Sequence, residues 1–167
     1  MSFRLALFAL VLGCVAVVSA SCGDGGSTTG HPKIVVSDAV AGASGATDAA
    51  AYLVLRTTGP QDALVGVDVD GGASATVHRT TTSDSRAQMH HVESMEVPAD
   101  GELRLDPGGS HIMIEGLEAP LDVGDRLRLT LHFERAPDQR VTVVAVPLES
   151  LPDRLGSARR DESGARG

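Results

Sequence analysis

The sequence predicts a single all-β domain, built as a sandwich or Greek-key barrel. From Lys33 onward, short runs of β-prone residues are separated by clusters of Gly, Pro, Asp and Ser, which is typical of strands joined by turns. The segment Arg126–Glu134, RLRLTLHFE, alternates apolar and polar side chains with the period of two that marks a half-buried strand. The same region shows no convincing helical periodicity, so strands are expected throughout.

These signals predict nine strands in chain order. In the clearest of them, Leu127, Leu129 and Leu131 should enter the core while the residues between them face outward. In a second, HIMIE, Ile112 and Ile114 should anchor the core side. The expected strands are Ile34–Val40, Ala50–Thr57, Ala63–Asp70, Ala75–Thr80, Gln88–Met95, Gly101–Asp106, His111–Glu115, Arg126–Glu134 and Arg140–Pro147.

The composition indicates one globular domain and argues against nucleic acid as a partner. Of 167 residues, 42% are hydrophobic and 22% charged, which suffices for one core. The formal net charge of −8 would repel a phosphate backbone. With no Trp and one Tyr, the chain also lacks the aromatic platforms on which bases stack.

The N-terminus predicts export. Arg4 precedes the apolar run Leu5–Ala20, which is too short to span a bilayer comfortably, so residues 1–21 are expected to be a signal peptide. Two processing routes remain open: cleavage after Ala20, or cleavage before Cys22 as at a bacterial lipoprotein junction. We favour the second route, which would lipidate Cys22 and anchor the protein at the outer face of the cytoplasmic membrane, in the periplasm. Cys22 would then be the only cysteine left, so no intramolecular disulfide is expected.

The rest of the chain divides into three predicted parts. Residues 22–32, rich in Gly, Ser and Thr, should form a flexible tether. Residues 33–148 should form the β-sandwich. Residues 149–167 are rich in Arg, Asp, Ser and Gly, have little apolar surface and are expected to be a disordered tail.

Two histidines and two methionines form the candidate functional constellation. Their spacing is H-x10-M-x21-H-x-M, with His78, Met89, His111 and Met113 as its members. Taken singly, such residues more often pack or face solvent than bind a ligand. Together they offer soft, uncharged thioethers and neutral imidazoles, a donor set that favours Cu(I) over harder cations or Cu(II).

This spacing matches the copper-binding motif of the periplasmic copper chaperone family PCuAC, and residues 37–70 and 101–134 resemble the two halves of that family's domain. The resemblance implies a cupredoxin-like β-sandwich that binds one Cu(I) through His78, Met89, His111 and Met113. It also implies delivery of copper to the dinuclear copper centre of cytochrome c oxidase subunit II, with a Sco-type thiol protein as a candidate partner.

Two further histidines are possible auxiliary metal ligands. His90 and His91 follow Met89 directly, and strand alternation should place His91 on the side of Met89 and His90 on the opposite side. A role as solvated surface residues is favoured for both over Cu(II) binding. His31, in the tether, could also capture Cu(II), while Met95 should pack in the core.

The sequence predicts no enzyme. It contains no G-x-S-x-G elbow, no H-E-x-x-H motif, no phosphate-binding loop and no paired catalytic Cys and His. A blue-copper electron-transfer site would need a Cys thiolate beside two histidines, and the predicted domain has no cysteine. Two non-enzymatic alternatives stay open beside a copper chaperone: a copper-buffering or sequestering protein without a dedicated acceptor, and a structural or interaction module that binds no metal.

Overall fold

Ten β-strands account for most of the structure, a computed structural model that describes residues 30–83 and 86–155. The predicted signal peptide, Cys22 and most of the predicted tether lie outside the described residues. The strands are β1 (Lys33–Ala43), β2 (Ala49–Thr58), β3 (Asp62–Val69), β4 (Ser74–Ser83), β5 (Arg86–His91), β6 (Met95–Val97), β7 (Glu102–Leu105), β8 (His111–Glu115), β9 (Arg126–Phe133) and β10 (Gln139–Pro147).

The strands pair in an order that differs strongly from their order in the chain. Hydrogen bonds connect them as β5-β4-β8-β2-β1-β10-β9-β3-β6, and β7 pairs with β2 beyond the end of β8. β1 and β10 are parallel, and the other pairs are antiparallel. The path folds back on itself around one core, which gives the predicted all-β, cupredoxin-like sandwich.

The core is formed by alternate side chains of nearly every strand, as the period of two requires. Leu129 and Leu131 of β9 are fully buried, which confirms the inward face predicted for that strand. Ile112 and Ile114 of β8 are also fully buried, so His111 and Met113 must lie on the outer face of the sheet. The predicted burial of Met95 is confirmed as well.

The predicted strand Gln88–Met95 is in fact two strands. β5 ends at His91 and pairs with β4, whereas β6 begins at Met95 and pairs with β3. Residues 92–94 carry the chain between these two parts of the sheet. They contain no Gly or Pro, so local sequence gave no sign of the break.

The packed domain extends beyond the predicted boundary at residue 148. Leu148–Ser150 form a 3-10 turn, and residues 151–155 continue as a helix rather than as part of a disordered tail. Leu151 and Leu155 are one helical turn apart, only 4% and 3% exposed, and pack with Val40 and Val146 in a second small apolar cluster. The prediction of disorder was based on the charged composition of the segment and overlooked the apolar surface that these two leucines provide. No helix in the described part of the chain has the length and apolar character needed to cross a membrane.

Removal of one of these leucines should loosen the C-terminal helix. We expect Leu155→Ala to reduce the free energy of unfolding by about 2 kcal/mol, the lower end of the cost of truncating a buried leucine, because the cluster is small. Tyr52 packs against the same cluster and is the only tyrosine in a chain without tryptophan, so its fluorescence reports on the undocking directly. An unchanged unfolding midpoint and unchanged Tyr52 emission would contradict this role for the helix.

Candidate metal centre

Three histidines from three neighbouring strands form a row on the outer face of the sheet. His91 of β5 lies opposite His78 of β4, and His78 lies opposite His111 of β8. The ring centroids of His78 and His91 are 5.9 Å apart, and those of His78 and His111 are 5.8 Å apart with the planes tilted by 27°. The pairing of the strands therefore brings together residues that are separated by up to 33 positions in the chain, from His78 to His111.

The core side of the same strands fixes this arrangement. Val77 and Ile112 are directly paired and buried in the core. Because successive side chains of a strand point to opposite faces, His78 and His111 must project from the outer face. A slip of either strand by one residue would turn its imidazole toward the core and its apolar partner outward, so the hydrophobic core enforces the row.

His111 is held with one nitrogen available for a metal. Its side chain is 7% exposed, and its Nδ1 lies 3.2 Å from the backbone carbonyl oxygen of Gly109. A carbonyl only accepts, so this contact favours the neutral tautomer in which Nδ1 carries the proton and Nε2 offers its lone pair. The preceding Gly108 has a φ of +80°, a conformation that favours glycine in the turn before β8. The ring of Tyr52 lies 6.3 Å away and links His111 to the apolar cluster under the C-terminal helix.

His78 occupies the centre of the row and tends to remain neutral. Its Nε2 lies 3.0 Å from the hydroxyl oxygen of Thr76. Burial lowers the pKa of His78, and the positive charges that His111 and His91 would carry lower it further, while Glu115 acts in the opposite direction. A neutral imidazole is the form that binds metal, so the surroundings of His78 favour the ligating state.

The two methionines of the motif lie on the same face but on opposite sides of the row. Met113 is half-buried, lies opposite Thr76 and is two residues from His111. Met89 lies opposite Thr80 on the edge strand β5 and is 64% exposed. Thr76 and Thr80 are four residues apart in β4, about 13 Å along the strand. The structure therefore brings His78 and His111 together and places each methionine two residue pairs from the row, Met113 on one side and Met89 on the other.

Strand pairing also separates the two auxiliary candidates. His90 lies opposite Arg79 and so on the other face, whereas His91 belongs to the row. Within residues 30–83 and 86–155, no three His, Cys, Asp or Glu side chains already converge as a metal site, so metal binding at the row requires side-chain rotation. Sequence reasoning missed Tyr52 as a neighbour of His111, and it missed the C-terminal helix in the apolar cluster that Tyr52 contacts. The single tyrosine and the two leucines spaced by four residues were the available signals.

Comparisons of the whole chain with known proteins identify its relatives. The family model LpqE-like, described as "Putative lipoprotein LpqE-like", matches residues 34–146. The protein "Putative lipoprotein Lxx21020" from Leifsonia xyli subsp. xyli (strain CTCB07) is 36% identical over 120 residues, which cover 71% of this chain and 70% of the relative. The match extends over almost the entire described sandwich.

Solved structures with the same fold include two PCuAC domains and the Cu(I) form of a third protein. The copper-bound PCuAC domain from PmoF2 has a TM-score of 0.58 at 21% identity, covering 71% of this chain and 96% of that domain. The apo PCuAC domain from PmoF1 gives 0.58 at 24% identity, with coverage of 71% and 97%. The solution structure of CuI-DR1885 from Deinococcus radiodurans gives 0.55 at 30% identity, with coverage of 68% and 78%. The chain therefore belongs to the LpqE-like family, and its sandwich has the fold of PCuAC domains.

Proposed function

We propose that this protein is an exported copper chaperone that binds one Cu(I) as cargo through His78, Met89, His111 and Met113. The observation that carries the proposal is the pair of His78 and His111 rings, whose centroids are 5.8 Å apart, with Met113 two residues from His111 on the same face. The Cu(I) form of the structurally similar DR1885 supports the choice of metal. The donor set fits this ion because thioether sulfur and neutral imidazole suit soft, monovalent copper.

The different environments of the two methionines suit a carrier. Met113 is half-buried beside the histidines and would hold copper from the inner side. Met89 lies on an edge strand that is hydrogen-bonded to β4 on one side only, so β5 can bend toward the row without breaking a second ladder. A neutral thioether can leave the ion without exposing a buried charge. Met89 would accordingly be the first ligand to exchange with a partner.

The proposed acceptor is the dinuclear copper centre of cytochrome c oxidase subunit II, with a Sco-type thiol protein as a possible second partner. The apolar N-terminal run predicts export, so the proposed transfer would take place outside the cytoplasm. Lipidation at Cys22 would hold the domain at the outer face of the cytoplasmic membrane through the tether of residues 22–32. The word lipoprotein in the names of the family and of the Leifsonia relative supports the anchor.

A transfer experiment tests delivery and separates it from copper buffering. Protein loaded with one equivalent of Cu(I) is mixed anaerobically with the apo copper domain of subunit II, in the presence of a chelator that removes free Cu(I). We expect subunit II to acquire copper faster from the loaded protein than from the Cu(I)–chelator complex alone. Equal rates from the two sources would mean that the protein only buffers copper, and the delivery proposal would be abandoned.

Proton competition should make copper binding pH-dependent. We expect the Cu(I) affinity to fall as the pH drops below about 6.5, because a ligating imidazole must lose its proton. Because the pKa of His78 is lowered, this ring is protonated, and so lost as a ligand, only at a lower pH than an unperturbed histidine. A chelator competition series from about pH 7.5 to pH 5 measures the effect. The Met113→Leu variant should show the same pH slope, since a thioether does not titrate; a flat profile would contradict ligation by histidine.

A further inference from the structure

We propose that His91 is the third imidazole of a Cu(II) site that shares His78 and His111 with the Cu(I) site. The inference rests on the proposed function for the two shared ligands and adds a second oxidation state of the metal. In this arrangement the same face of the sheet offers two overlapping donor sets. One is rich in sulfur and includes the methionines, and the other is made of the three nitrogens in the row.

The spacing of the row carries this inference. An imidazole nitrogen binds a metal at about 2.0–2.1 Å, so two rings that share one ion have centroids about 5–6 Å apart. The two neighbouring pairs in the row are separated by 5.9 and 5.8 Å, and the outer rings of His91 and His111 must rotate toward His78 for all three to reach one ion. Met89, by contrast, lies two residue pairs along β5 from the row. His91 is paired directly with His78 and therefore lies nearer to it along the sheet than Met89 of the Cu(I) motif does.

The chemistry of the neighbouring groups also favours a divalent ion with nitrogen ligands. Imidazole is a good ligand for Cu(II), whereas thioether selects Cu(I). A second positive charge needs compensation, and Glu115 lies on the row's face of β8, two residues beyond Met113. Its negative charge raises the pKa of His78, although burial and the two neighbouring histidines have larger, opposite effects. The other flanking side chains on β4, Thr76 and Thr80, are neutral.

His90 provides a matched control for His91. It is the adjacent residue on the same strand and is equally exposed, but its pairing with Arg79 places it on the opposite face. The two histidines thus have the same chemistry and differ in position alone. His31 is an exposed imidazole outside the row, so the experiments use His31→Asn protein as the parent.

The test is a Cu(II) titration of the purified parent, with coordinated imidazoles counted by pulsed electron paramagnetic resonance. Loss of a group that only hydrogen-bonds to a metal ligand already lowers metal affinity by about 10–100-fold, so His91→Asn, which removes a ligand, should lower the Cu(II) affinity at least about tenfold. It should also remove one coordinated nitrogen, while His90→Asn keeps the parent values. Bound Cu(II) should quench the fluorescence of Tyr52, which lies 6.3 Å from His111. The inference is overturned if His91→Asn keeps the parent affinity and nitrogen count, if His90→Asn loses as much, or if Tyr52 is not quenched.

Cu(I) titrations of the same samples separate failure of this inference from failure of the proposed function. We expect His91→Asn to reduce Cu(II) affinity more than Cu(I) affinity, and Met113→Leu to do the reverse. A parent that does not bind Cu(I) would refute the proposed function, whatever its Cu(II) behaviour. A parent that binds Cu(I) through sulfur, with Cu(II) binding indifferent to His91, would overturn the further inference alone.

Discussion

Replacement of Met113 with leucine is expected to lower the Cu(I) affinity by at least about tenfold, because loss of a group that only hydrogen-bonds to a metal ligand already lowers affinity by about 10–100-fold. Leucine nearly preserves the volume of methionine and removes only the sulfur, so the half-buried position should repack at a cost below about 1.5 kcal/mol. Met113 lies beside His111 on the outer face, where its thioether is the inner soft ligand of the proposed set. Competition with a chromophoric Cu(I) chelator measures the change.

The same substitution at Met95 is the control for Met113. Met95 is buried in the core, and Met95→Leu removes a sulfur from a methionine that faces away from the proposed site. It should leave the Cu(I) affinity at the parent value. Equal affinities for the Met113 and Met95 variants would show that sulfur at position 113 does not bind copper, and thermal unfolding of both would confirm that each is folded.

Replacement of Asp62 with alanine should be the most destabilising polar substitution in the sandwich. The Asp62 side chain is 2% exposed and accepts hydrogen bonds from the backbone N–H groups of Ala63, Arg135 and Ala136, at 2.8, 3.0 and 2.8 Å. These hydrogen bonds connect the turn after β9 to the start of β3. Alanine would leave these donors without their acceptor, and we expect a loss of about 3 kcal/mol in the free energy of unfolding, measured in urea.

Asp68 supplies the comparison for Asp62. Its carboxylate lies 2.9 Å from Nε2 of His132 at an exposed position on the surface. An exposed ion pair contributes at most about 1 kcal/mol, so Asp68→Ala should be close to neutral. If the two variants unfolded at the same urea concentration, the turn would not depend on Asp62.

The strands and their faces were predictable because alternation is a local property. The inward leucines of β9 and the core-facing isoleucines of β8 follow from the period of two alone. The same reasoning placed His111 and Met113 on one face, and His90 and His91 on opposite faces. These predictions needed no knowledge of which strands are neighbours.

The composition of the histidine row was not predictable, because it depends on which strands pair and in which register. The pairing of β4 with both β5 and β8 places His78 between two other imidazoles, and nothing within a single strand indicates this. The split between β5 and β6 has the same origin, since the two strands are separated by their different partners. The C-terminal helix was missed because two leucines in a charged segment do not indicate a packed helix unless the apolar surface that they contact is known. The four-residue copper ligand set remains a prediction.

X-ray absorption at the copper edge of the Cu(I)-loaded protein is the most direct test of the proposed four-ligand Cu(I) site. We expect two sulfur and two nitrogen atoms bound to the copper, from Met89, Met113, His78 and His111, and the loss of one sulfur in Met113→Leu. A first shell of nitrogen and oxygen alone, or one whose sulfur count is the same in Met113→Leu, would contradict it.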